Sequence, residues 1–166
     1  MFLLLAGLAS AVEGPAPSLL HRNPVGFGAG FVVGLPTGLS FAYRKDGSPI
    51  WFDAALAWRF DNGGGLLLQG DVEWTLATLH SPEWEDIHFP VYVGVGPRFL
   101  SNVGPGVTNN GSDDYLGLRV PVGMSVYHTD VPLEGFLELG PVIKLFPTTG
   151  VGFDIVVGAR FYFGPG

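Results

Sequence analysis

The chain has 166 residues, one domain's worth. Hydrophobic residues make up 47% and charged residues only 14%, the net charge is −7, and the mean hydropathy is +0.35. With no cysteine, disulfides and thiolate metal sites are excluded. An acidic balance without clustered Lys and Arg argues against a nucleic-acid partner. Beyond the N-terminus no apolar run is long enough for a membrane helix, which leaves a densely packed β-protein or a barrel whose apolar residues are dispersed by alternation.

The first residues, "MFLLLAGLASAVEG", form a short apolar run ending in Ala9-Ser10-Ala11. This reads as a signal peptide over 1–11, although no Lys or Arg precedes the run. Residues 12–25 read as a tether on the inner, periplasmic side, 26–163 as the folded domain and 164–166 as a tail. Eight segments of period-two alternation follow, roughly 26–34, 38–45, 50–60, 65–76, 88–100, 115–127, 132–145 and 150–163. Their separators include "KDGSP", "DNGGG", "LATLHSPEWEDI", the long "SNVGPGVTNNGSDD" and "FPTTG". No segment holds a 3.6-residue period. The expected fold is all-β: an eight-stranded antiparallel up-and-down barrel that crosses a membrane and has a polar, charge-paired interior.

Alternate positions sort the charges. In the last segment Val151, Phe153, Ile155, Val157, Ala159, Phe161 and Phe163 share one face, and Asp154 and Arg160 share the other. The same separation repeats along the chain. It puts Arg44, Arg59, Arg98, Arg119, Lys144 and Arg160 on one face together with Asp53, Asp71, Glu73, Glu134, Glu138 and Asp154. Six bases and six acids balance, so the net charge lies in the connections. Lipid outside and an ionic network inside is the expected arrangement, tolerable only if the buried charges pair. Asp154 and Arg160 are about 20 Å apart along one strand, at about 3.3 Å per residue. Their partners are therefore sought on other strands, Glu134 or Glu138 for Arg160 and Lys144 or an arginine for Asp154. Phe89 and Phe99, ten residues apart on the apolar face, span roughly 23 Å of a tilted strand, about the height of a lipid-facing band. Pro90, Pro97, Pro121 and Pro141 fall inside these segments, so bulges or interruptions are expected there.

The stretches "GLPTGLSFAYR", "FPVYVGVGPRF", "YLGLRVPVGMSVY" and "PLEGFLELGPVIKLFPTTGVGFDIVVGARFYF" resemble a family of small, largely uncharacterised bacterial outer-membrane β-barrel proteins, similar in plan to OmpA- and OmpX-type barrels. The resemblance spans about 26–163. It implies an outer-membrane location in a Gram-negative-type bacterium, with membrane lipid and the barrel-insertion machinery as partners. Gly158, Phe161 and Phe163 resemble the signal read by that machinery. Val156 stands where a polar residue is usual, and Gly164-Pro165-Gly166 follow the aromatic that normally ends such proteins.

Other constellations are weaker. His80, Glu83, Glu85, Asp86 and His88 have metal-ligand chemistry in no established spacing, so neither a metal nor a cofactor is expected. Ser125, His128 and Asp130 are hydrolase residue types crowded at one strand end, where one turn cannot orient a relay. "DNGGG" lacks the Lys-Ser/Thr and the helix of a phosphate loop. With a periplasmic N-terminus, connections 34–38, 61–65, 101–114 and 146–150 face outward, and the 101–114 loop is the expected contact surface for other proteins. The expected function is a structural or interaction barrel, not an enzyme. A narrow ion or solute channel is the first alternative and a lipid-modifying enzyme the second.

Overall fold

A computed structural model describes residues 24–34, 37–59, 65–101 and 114–164. The expected signal peptide, nearly all of the tether, "DNGG" of the third link and most of the 101–114 connection lie outside the described residues. Nine strands form one antiparallel sheet: β1 (Gly26–Gly34), β2 (Thr37–Arg44), β3 (Ile50–Arg59), β4 (Gly65–Ser81), β5 (Trp84–Ser101), β6 (Tyr115–Arg119), β7 (Val122–His128), β8 (Val131–Phe146) and β9 (Gly150–Tyr162). β1 pairs with β9 and β4 with β5, so the sheet closes into a ring.

The strand count corrects the expected eight. The sixth segment breaks at Val120-Pro121 into β6 and β7, which lie end to end between the same two neighbours, β5 and β8. Pro121 has no N–H to continue a ladder. The chain crosses the break on two bonds, Val120 N–H to Pro141 O at 3.1 Å and Gly94 N–H to Pro121 O at 2.9 Å. The ladder also skips pairs at the other prolines. Pairing between β4 and β5 passes from Gln69↔Arg98 to Val72↔Val95 around Pro97. Between β5 and β7 it passes from His88↔Tyr127 to Val91↔Met124 around Pro90. The ring thus absorbs its prolines as local gaps.

A second correction concerns "LATLHSPEWEDI". The expected long link is strand almost throughout. β4 runs to Ser81 and β5 starts at Trp84, joined by a turn at Pro82-Glu83. The β2–β3 link is a tight turn, with Gly47 at φ 68° and Ser48 N–H donating to Lys45 O at 3.2 Å.

Register sets the tilt. Following partners from Arg160 through Gly30, Ser40, Ala55, Gln69, Arg98, Gly117 and Lys144 returns to β9 at Gly150, ten residues from the start. Spread over eight inter-strand steps of about 4.8 Å, that stagger tilts the strands by about 40°.

Burial is inverted from the usual order. Phe31, Val33, Phe52, Val72, Trp74, Ile155, Val157 and Phe161 are exposed on the outside. Arg119, Arg160, Glu73, Glu134 and Glu138 are among the most completely buried side chains. Of the two aromatics expected to span the apolar band, Phe99 is exposed and Phe89 half-buried; Phe153, Phe161 and Phe163 are exposed as well.

Candidate functional site: the charge-paired interior

The interior is built by inward-facing alternate residues of every strand position. It holds two ionic clusters that join adjacent strands and strands two or three places apart in the ring. Around Arg160 of β9, Nη2 pairs with Asp53 of β3, and Nε donates to Ser40 Oγ of β2 at 2.7 Å. Glu134 of β8 lies 3.7 Å from Arg160 Nη1 and accepts from Arg44 Nη2 at 2.6 Å and Tyr162 Oη at 2.7 Å. Arg44 in turn stacks over the Trp51 ring, 3.9 Å from its centroid.

The second cluster surrounds Arg119 of β6. Its Nη1 donates to Asp71 and Glu138, each at 3.0 Å, and its Nε lies 3.3 Å from Asp154 Oδ2. Arg98 pairs with the same Asp154. Tyr92 Oη donates to Glu138 at 3.0 Å and Gln69 Nε2 to Asp71 at 3.2 Å. Glu134 and Glu138 are four residues apart on one strand face, about 13 Å at about 3.3 Å per residue, so each serves a different cluster. Asp154 and Arg160 divide in the same way.

Arg160 takes Asp53 as well as Glu134, and Asp154 takes two arginines and not Lys144. Lys144 is half-buried near the mouth away from the chain termini, with Nζ 4.8 Å from the Tyr115 ring centroid. The side chain of Arg59 lies outside the described residues. Among the described residues the buried interior therefore holds four bases, Arg44, Arg98, Arg119 and Arg160, against six acids. Glu73 lies between the clusters, fully buried, and neither of its carboxyl oxygens has a hydrogen-bond partner among the described residues. It fills the space above Gly94, where a Cβ would come within 2.2 Å of Glu73 Oε2.

Apolar residues complete the filling, and alternation alone had not singled most of them out. Ala57, Leu67, Leu100, Tyr115 and Val142 form a buried cluster from five strands near the mouth away from the termini. Ala42, Trp51, Tyr92 and Tyr162 form another, and Val32, Phe136 and Val156 a third. Phe136 lies over its cross-strand partner Gly158, where a Cβ would stand 2.3 Å from the ring, and Arg160 stacks on it at 3.8 Å. Gly158 thus has a packing reason of its own. A void of about 10 Å³, lined by Asp53, Gln69, Phe136, Glu138 and Arg160 among others, is about the size of one water.

The weaker constellations stay apart. His128 Nδ1 accepts from the Asp130 N–H at 3.1 Å, while Ser125 faces the interior and its Oγ has no hydrogen-bond partner among the described residues. No relay joins the three. His80 and His88 meet edge to face at 4.8 Å, and His88 Nε2 lies 3.1 Å from Thr129 Oγ1. Among the described residues no group of three or more His, Asp or Glu is placed to hold a metal ion.

No family model matches the chain, and no curated protein matches it. Among solved structures the chain is similar to the N-terminal β-barrel domain of Pseudomonas aeruginosa OprF. The TM-score is 0.50 and the identity 14%, over 82% of this chain and 95% of that domain. The likeness is one of fold: a β-barrel.

Proposed function

We propose that the chain is an integral outer-membrane barrel with a plugged interior, acting as a structural or contact element of the envelope and not as an enzyme. The observation that carries this reading is the inversion of its faces. Charges that water would solvate cheaply are buried in pairs, while large apolar and aromatic side chains cover the outside. In water such an exterior would be an aggregation surface. In lipid it is the expected coat, with outer-membrane lipid as the principal partner. The buried ionic clusters and the apolar cluster at one mouth support a barrel that does not conduct. Gly158, Phe161 and Phe163, at the end of β9, stay assigned to recognition by the insertion machinery.

The test is reconstitution of the purified chain. It is expected to need detergent or lipid to stay monodisperse and to give no discrete conductance steps in a planar bilayer. Monodispersity without detergent overturns the membrane reading. Reproducible steps overturn the plugged interior and favour a narrow channel.

A further inference from the structure

The strands of the ring are unequal, and the inequality leaves one edge open. Ile50↔Trp74 is the last partner pair between β3 and β4, and Thr75 N–H still reaches Pro49 O at 2.9 Å. Pairing of β4 with β5 continues to Ser81↔Trp84. On the far side of β5, β7 keeps pace as far as Ile87↔His128. Among the described residues, 76–81 of β4 therefore have a strand neighbour on one side only. At about 3.3 Å per residue and a tilt near 40°, they carry the hairpin about 15 Å past the start of β3.

Sheet edges are normally blunted by lysine, proline or shortness. This one reads Leu76-Ala77-Thr78-Leu79-His80, with register shifts at its two ends, between Thr75 and Ala77 and between His80 and Ser81, and none within 77–80. Its surroundings are acidic. Glu83, Glu85 and Asp86 at the hairpin tip and Asp130 in the adjacent β7–β8 turn are exposed, and Lys45 is the one exposed base at this end among the described residues.

We propose that the open edge of β4, residues 76–80, is a docking site for an extended, basic polypeptide segment that adds as a further strand. The backbone groups of the edge supply the ladder, and the acidic tip selects Lys or Arg on the incoming segment. The projection rests on strand register and not on the membrane reading, so the two can fail separately.

Amide hydrogen exchange on the full chain in detergent micelles tests this, with a short synthetic peptide alternating Lys and Val as probe and a Glu-Val peptide as control. The Lys-Val peptide is expected to slow exchange within 76–81 by about tenfold or more, while the Glu-Val peptide leaves it unchanged. Leu79→Lys, which blunts the edge, and the double reversal Glu85→Lys/Asp86→Lys should each abolish the slowing. Both variants should keep the folded gel mobility of the unheated barrel. Unchanged exchange with the Lys-Val peptide overturns the proposal. So does edge protection before any peptide is added, which would mean that detergent or the chain itself covers the edge. Equal slowing by the Glu-Val peptide overturns the basic partner.

Discussion

The two faces of the barrel wall carry opposite chemistry on the same strands, and they are held by different physics. On the inside Arg160 and Arg119 reach partners two or three strands away as well as on the next strand, so their energy depends on the whole ring. On the outside Val157, Ile155 and Leu137 lie beside their cross-strand neighbours and face the surroundings, so their contribution depends on what those surroundings are. Inner substitutions should therefore cost stability in any solvent, whereas outer ones should register the solvent itself.

The largest effect is expected at Arg119. Arg119→Met leaves Asp71 and Glu138 buried without their arginine and Asp154 with Arg98 alone, at a cost of about 3–5 kcal/mol, read as a lowered urea midpoint in both detergent and lipid. Val157→Arg should cost about 2–4 kcal/mol in a bilayer and clearly less in a short-chain detergent. An equal cost in both would erase the distinction between the faces. Gly123→Ala comes next, because a Cβ there would stand 2.3 Å from the Tyr92 ring. It should cost about 1–3 kcal/mol, and most of that should disappear in a Tyr92→Leu background, which a double-mutant cycle measures. Glu85→Gln at the exposed hairpin tip should move the midpoint by less than about 0.5 kcal/mol.

Much of the inner face was legible from alternation. Asp154 and Arg160 stand out in "VGFDIVVGARFYF" because a two-residue period assigns every side chain to one of two faces. Partner choice was not legible. Arg160 meets Asp53 across the lumen because the ten-residue stagger brings β9 and β3 to one level, and no local pattern encodes that stagger. The interior apolar clusters were obscure for a similar reason. Ala57, Leu67 and Val142 resemble exterior residues in type, and only register places them together. The hairpin extension was missed because "HSPEWEDIH" has turn-like composition, yet pairing in the folded chain carries it as strand on either side of Pro82-Glu83.

By itself, the sequence determined that the protein is an antiparallel β-structure with one apolar and one charged face, because alternation is a property of each strand alone. The prolines already marked where the ladder would suffer. Only the tertiary structure decided that the sixth segment becomes two strands and which arginine meets which buried acid. It also decided that β4 and β5 outrun their neighbours. Each of these depends on closure, because a ring sets every strand's level by its neighbours and so determines which charges meet, which proline breaks a ladder and which edge stays open.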